Sequence, residues 1–325
     1  MTDRQIPGIH HVTAIASDPQ RNVAFYTDAL GLRLVKLTVN FDDPGTYHLY
    51  YGDEQGHPGT ILTFFPWPGA RRGRRGAGQV AATSFLVPEG TLAYWEERLQ
   101  SMSVIVAERE RRFDQEVLPF LDPDFLQLEL VAHPEAAGIA PWQDGPVAPE
   151  RAIRGFHGAT LWESDPEPTV DLLTKAMGFE PEAEEGQRLR FRAARDKQPG
   201  LGSVVDVVQV TDGEQGWGGA GTVHHIAWRT ADDAQQLAWR QELLARGLHV
   251  TPVMDRQYFR SIYYREPGGV LFEIATDPPG FTRDESLAEL GTHLKLPPWL
   301  EPRRAEIESA LPELRTTRTT LHEPA

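Results

Sequence analysis

The chain of 325 residues contains no cysteine. That single absence excludes disulfides, thiolate metal sites, iron–sulfur clusters and cysteine nucleophiles. Any metal must then be held by histidine and carboxylate. Positive charge is also scarce: 32 Lys and Arg stand against 47 Asp and Glu, a net charge of −15. A field of that sign repels phosphate backbones and anionic headgroups, so neither nucleic acid nor a membrane surface is expected as a partner. No run approaches the roughly 18 apolar residues of a membrane span. The opening Met1-Thr2-Asp3-Arg4-Gln5-Ile6-Pro7 lacks the apolar core of a signal peptide. A cytoplasmic protein is expected. What is present is an ordinary globular composition, 40% hydrophobic and 24% charged, with length for two domains of ~150 residues.

Self-similarity organises the rest. Gly8-Ile9-His10-His11-Val12-Thr13 and Thr222-Val223-His224-His225-Ile226-Ala227 read as equivalent short strands. Gly155-Phe156-His157-Gly158-Ala159-Thr160 has the same shape with one histidine, and Val80-Ala81-Ala82-Thr83-Ser84-Phe85 has none. Each is followed by helical spacing of apolar residues, over 23–30, 92–99, 170–177 and 234–244. Gly31, Gly178 and Gly247 stand where helix C-caps are expected. Each unit then closes in strands around a turn, at Pro58-Gly59, Pro123-Asp124, Pro199-Gly200 and Pro267-Gly268. The spacing predicts four β-α-β-β-β modules. Pairing the first-strand position with the residue six beyond each turn proline gives His11/Phe64, Ala81/Glu129, His157/Val205 and His225/Glu273. The separations are 53, 48, 48 and 48, so the first module carries five extra residues near its hairpin.

Two histidines and a carboxylate are ligands for Fe(II), Mn(II), Zn(II) or Ni(II), and leave coordination positions open on one face. Glu273, within the apolar run Val270-Leu271-Phe272-Glu273-Ile274-Ala275, is an acid that needs a partner or a metal. Spacing leaves one choice open. Pairing the first and fourth modules gives His11, His225 and Glu273; pairing the third and fourth gives His157, His225 and Glu273. Strand alternation points His10 and His224 away from the metal face, and puts Thr13 on the face of His11. Gly216-Trp217-Gly218-Gly219-Ala220-Gly221 is set aside as a dinucleotide site because a strand, not a helix, follows it. Arg71-Arg72-Gly73-Arg74-Arg75 reads as a solvated loop.

These residues resemble the vicinal-oxygen-chelate superfamily of glyoxalases, bleomycin-resistance proteins and extradiol dioxygenases. More narrowly, the histidine pairs, Tyr47-His48-Leu49-Tyr50-Tyr51, Asp255-Arg256, Tyr258-Phe259 and Tyr263-Tyr264-Arg265-Glu266-Pro267-Gly268-Gly269 resemble the hydroquinone ring-cleaving dioxygenases, along with Leu296-Pro297-Pro298-Trp299 in the tail. The resemblance implies an α+β fold of four βαβββ modules in two cup-shaped mixed sheets. The modules divide into residues 1–140 and 151–280, followed by a tail over 281–325. It implies Fe(II) on His11, His225 and Glu273, with His157 and Glu129 as relics of a second site. It gives Tyr263, ten residues before Glu273, a hydrogen bond to substrate, and Arg256 the stabilisation of anionic oxygen. Thr13, His10 and His224 receive contact or acid–base roles. The reaction implied is ring cleavage of an aromatic diol, incorporating both atoms of O₂, in aromatic degradation. Catechol-cleaving relatives carry a histidine in the region of Val210-Thr211; none stands here, which favours a para-diol. Two other readings are a glyoxalase-like isomerase with Zn or Ni, against which Phe64 stands in the fourth ligand slot, and a metal-free binding protein of the bleomycin-resistance type. A homo-oligomer is left open, since four modules complete their cups within one chain.

Overall fold

A computed structural model describes residues 5–193, 201–211 and 215–316. The expected turn at Pro199-Gly200 lies outside the described residues. The first module runs β1 (Ile9–Ala16), α1 (Pro19–Ala24), β2 (Arg33–Asn40), β3 (Asp43–Gly52) and β4 (Ile61–Pro66). The second has β5 (Gln79–Val87), α2 (Leu92–Ser101), β6 (Ile105–Val106), β7 (Glu110–Arg112), β8 (Gln115–Leu121) and β9 (Gln127–Ala132). In the third are β10 (Gly155–Glu163), α3 (Glu167–Lys175), β11 (Phe179–Glu185), β12 (Arg188–Ala193) and β13 (Val204–Gln209). The fourth comprises β14 (Thr222–Thr230), α4 (Asp233–Ala245), β15 (Met254–Asp255), β16 (Arg260–Arg265) and β17 (Leu271–Thr276), and α5 (Arg304–Ala310) lies in the tail. No helix among the described residues is long and apolar enough to cross a membrane.

Local chemistry sets the helix ends. Asp18 and Asp232 accept hydrogen bonds from the backbone N–H groups of Arg21 and Gln235 at 2.7 and 2.8 Å, capping α1 and α4. Gly31, Gly178 and Gly247 all take positive φ, at 71°, 81° and 83°, as C-cap glycines do.

The modules pair crosswise. The first and fourth form one curled sheet of eight strands, β15-β16-β17-β14-β1-β4-β3-β2, and the second and third form the other, β11-β12-β13-β10-β5-β9-β8-β6. Each sheet is joined at its centre by one antiparallel pair, β1 with β14 and β10 with β5. Both central pairs are irregular at matching points. Registers skip at His10 in β1 and His224 in β14, and at His157 in β10 and Ala81 in β5. These are β-bulges, each inserting one residue that has no partner across the ladder.

The bulges shift the sequence register by one. Thr13 pairs in parallel with Thr63 as Ala227 pairs with Glu273, so the first module has four extra residues (50 against 46) and not five. Phe64 therefore faces the helix layer, its ring 4.6 Å from Tyr26 and 6.0 Å from Tyr51. Thr63 takes the fourth slot in the cup. His157 likewise matches His10 in place of His11, and Gly158 holds the ligand position. The arginine-rich loop is more than solvated: Arg72 and Arg74 bridge to Ala220 and Trp217 of the glycine loop, and Arg74 stacks 3.9 Å from the Trp217 ring.

Candidate metal centre

The residue after each bulge in the first sheet is a histidine turned into the cup. His11 Nε2 and His225 Nε2 lie 3.3 Å apart, and both face Glu273 Oε2, at 3.4 and 3.0 Å. All three side chains are buried. Among the described residues they form the one group of three or more His, Cys, Asp or Glu able to hold an ion. The other nitrogen of each imidazole is engaged: His11 Nδ1 is 2.9 Å from His10 Nδ1, and His225 Nδ1 is 2.8 Å from His224 Nδ1. Alternation alone would send His10 and His224 to the far face; the bulges bring them alongside their neighbours. Glu273 Oε1 accepts a hydrogen bond from Ser261 Oγ, and Oε2 has no hydrogen-bond donor assigned to it.

This donor set fits a metal. With the protons on the Nδ1 side, two Nε2 lone pairs and a carboxylate oxygen converge in a dry pocket with nothing positive between them. Such a group costs several kcal/mol unless a cation joins it. Spacings of 3.0–3.4 Å are close to those of adjacent ligands at right angles around an ion with bonds of about 2.1 Å. Burial raises the Glu273 carboxyl, but protons presented by the imidazoles of His11 and His225 outweigh it and hold the acid well below its usual range, and a cation in place of those protons would act in the same sense. Burial lowers His225, so its imidazole is neutral and able to ligate.

A cavity of about 390 Å³ opens over the centre, within the size range of small-molecule sites. Phe41, Phe65, Trp67, Phe259 and Leu271 give it apolar walls. Arg256 and Tyr263 stand on one side: Arg256 Nε donates to the Tyr263 hydroxyl at 3.1 Å, and its Nη2 lies 3.0 Å from Asp42 Oδ2 on the rim. The Tyr263 ring meets His225 edge-on at 5.7 Å, and its backbone pairs with Glu273. Burial, with the Glu273 charge next, raises the Tyr263 hydroxyl, which stays protonated. His224 lines the cavity; Thr13 does not, and its Oγ1 bonds Thr63 Oγ1 at 2.8 Å.

Sequence reasoning gave no role to His48, Tyr50, Asn40 or Asp42, which line the same cavity. For His48 and Tyr50 the signal was available: residues two apart on a strand in the module that supplies a ligand share the ligand's face. In the second sheet the matching positions are Gly158, Ala82, Asp206 and Glu129. No imidazole stands among them. Arg112 grips Glu129 with two bonds of 2.9 Å, and Arg190 grips Asp206 at 2.7 and 2.9 Å. His157 instead lies 3.1 Å from the Gln115 amide.

Comparison with known proteins agrees with this geometry. The family model described as "Glyoxalase/Bleomycin resistance protein/Dioxygenase superfamily" matches residues 8–130 and 155–274. The "Putative ring-cleaving dioxygenase MhqO" of Bacillus subtilis is 52% identical over 304 residues, covering 94% of this chain and 95% of that one. The "Chlorohydroquinone/hydroquinone 1,2-dioxygenase" of Sphingobium indicum is 38% identical over 311 residues, covering 93% and 95%. A crystal structure of a "putative dioxygenase" from Bacillus subtilis superposes with a TM-score of 0.91 at 50% identity, over 96% of this chain and 98% of that one. Maize glyoxalase I, at 14% identity and a TM-score of 0.60 over 83% and 92%, shares the fold. Paired cups, crosswise modules and a matching model over most of its length place the chain in the glyoxalase/bleomycin resistance protein/dioxygenase superfamily.

Proposed function

We propose that this chain is an Fe(II)-dependent extradiol-type dioxygenase that opens the ring of hydroquinone or a substituted hydroquinone between a hydroxylated carbon and its neighbour. The observation that carries the reading is the convergence of three bare lone pairs, from His11, His225 and Glu273, at the floor of an aromatic-walled cavity. Iron bound there would bring a diol oxygen and O₂ together and pass electron density from ring to oxygen. The names of the relatives from Bacillus and Sphingobium support the same class.

The protein's own groups do the rest. Phe65, Trp67 and Phe259 exclude water and hold a planar ring. Arg256 stays charged between Tyr263 and Asp42, placed to stabilise anionic oxygen as it develops. Tyr263 donates its hydroxyl proton as a hydrogen bond to substrate oxygen. His10 and His224 fix the tautomers of the ligand imidazoles. The isomerase reading calls for a fourth protein ligand, and Thr63 in that slot is already bonded to Thr13 and His48.

Elemental analysis of protein purified without oxygen, as wild type, His11→Ala and His157→Ala, tests the proposal together with O₂ uptake on hydroquinone, methylhydroquinone and catechol. Iron near one per chain, lost in His11→Ala and kept in His157→Ala, with uptake on a para-diol, is the expected result. Absence of stoichiometric metal from the wild type would return the chain to the small-molecule binding class.

A further inference from the structure

Four polar groups hydrogen-bond in series behind the cavity. Thr13 Oγ1 lies 2.8 Å from Thr63 Oγ1, which lies 2.8 Å from His48 Nε2, and His48 Nδ1 lies 2.8 Å from the Tyr50 hydroxyl. Strand register builds the series. Parallel β1 and β4 set Thr13 beside Thr63, antiparallel β3 and β4 set Tyr50 opposite Thr63, and His48 shares the face of Tyr50. Its two ends differ. Thr13 is fully buried and does not line the cavity, and among the described residues Thr63 is the one hydrogen-bond partner of its hydroxyl. At the other end His48 and Tyr50 form part of the lining.

The blind end fixes the direction of every bond. A buried hydroxyl proton left without an acceptor is costly, so Thr13 donates to Thr63, and Thr63 donates in turn to His48 Nε2. Burial, the largest cause, holds His48 far below the usual imidazole range, so the ring is neutral, with one lone pair and one N–H. Its lone pair is taken by Thr63; its proton is therefore on Nδ1 and is donated to the Tyr50 oxygen. Tyr50 accepts on the wall side and keeps its own proton to donate into the cavity. Burial raises that hydroxyl well above its usual range, so the proton stays on it. The ring is clamped, its centroid 5.1 Å from that of Phe281 and 4.0 Å from that of His48. In the sheet β3 is two strands from β1, with β4 between them, a separation of roughly 10 Å. The donor thus stands apart from the His11, His225 and Glu273 group, whereas Tyr263 meets His225 edge-on.

We propose that Tyr50 is a specificity-determining residue: held in one orientation by Thr13, Thr63 and His48, it donates a hydrogen bond to the substrate oxygen para to the hydroxyl anchored at the centre. This rests on the hydroquinone reading above. A planar ring anchored by one oxygen carries its para substituent farthest from the anchor, toward a donor set apart from the centre. The second hydroxyl of a catechol stays beside the first and leaves that donor unused. Because the direction of the series is fixed, Tyr50 requires an acceptor, and an ether oxygen meets the requirement as a hydroxyl does. Thr63 and His48 act through Tyr50, as positioning residues.

The test is equilibrium binding under argon, by titration calorimetry, of hydroquinone, 4-methoxyphenol and phenol to iron-loaded wild type, Tyr50→Phe, Thr63→Val and Thr63→Ser, with iron content measured for each. Wild type should bind hydroquinone and 4-methoxyphenol more tightly than phenol. Tyr50→Phe should weaken both by about 3- to 10-fold, the worth of one hydrogen bond, and leave phenol at its wild-type affinity. Thr63→Val frees His48 to turn its lone pair toward Tyr50 and should give the same pattern, and Thr63→Ser should restore the wild-type affinities. A residue that only shapes the cavity would move all three ligands together. An equal loss for all three in Tyr50→Phe, or no loss, overturns the assignment, and so does a wild type that binds 4-methoxyphenol no better than phenol; each leaves ring cleavage standing, since O₂ uptake on hydroquinone is read separately. Should Thr63→Val shed its iron, Tyr50→Phe decides alone. Neither binding of nor O₂ uptake on any diol in the iron-loaded wild type overturns the ring-cleavage reading and the assignment together.

Discussion

Each imidazole at the centre is held from behind by the histidine that precedes it in sequence, Nδ1 to Nδ1. A ligand held this way keeps its proton off the metal-facing nitrogen. Removing the backing group in His10→Ala or His224→Ala should weaken metal binding by about 10- to 100-fold, read by competition with a chelator; unchanged affinity would make the pairs incidental. Phe64 gives the opposite kind of test. Its ring is buried among Tyr26 and Tyr51, away from the cup. Phe64→Ala should cost about 3–5 kcal/mol of stability in denaturant titration while iron stoichiometry stays at its wild-type value. The ligand types were legible from sequence because buried His and Glu in repeating positions have few other uses. The face of a neighbouring residue was not, because one inserted residue inverts every side chain beyond it.

At the scale of elements, strands, helices and C-cap glycines followed from periodicity and turn chemistry, and the bulges did not. A bulge has no required residue type: His10, His224 and His157 occupy three of the equivalent bulge positions and Ala81 the fourth, and a histidine beside another histidine does not say which of the two is the inserted one. Counting along the chain therefore placed His157 and Phe64 one residue out. The turn between β16 and β17 carries a separate device. The Glu266 carboxylate accepts from Gly268 N and Val270 N at 2.9 and 2.8 Å and from Thr169 Oγ1 at 2.6 Å. Beside it Glu163 is fully buried with no donor to either oxygen, and burial, then the Glu266 charge, pushes its pKa up to about 8. Glu163 is thus a neutral acid at pH 7, set beside Glu266 in the turn that leads into the strand of Glu273. Because its folded pKa lies above the unfolded value of about 4.5, the native state binds the extra proton between those limits and stability falls as pH rises from about 4.5 to 8. Glu163→Gln should flatten that slope in pH-dependent thermal unfolding. An unchanged slope would assign the effect to another group.

In the whole molecule the same architecture is used twice, once with bare metal-binding groups and once with arginines paired to its carboxylates. The second cup puts arginines where the first leaves room, and a Cβ on Gly158 would sit 2.2 Å from the Val204 carbonyl oxygen, so no imidazole fits there. Its charges are structural. Arg112→Ala would strand Glu129 in the interior and should cost about 3–5 kcal/mol in denaturant titration, with iron content and ring cleavage per folded molecule unaltered. Which modules pair was illegible from spacing, since His11 and His157 stood equally well until the topology separated them. That crosswise pairing also orders events in time. β1 is made first, yet its antiparallel partner β14 begins at Thr222, a wait of roughly 10–40 s at a synthesis rate of about 5–20 residues per second. The second sheet can close while β1 still presents a bare edge on the β14 side. The candidate metal centre, whose residues lie 262 positions apart at the extremes, is therefore assembled late in synthesis, and a metal ion cannot meet all three side chains on a nascent chain that has yet to reach Glu273.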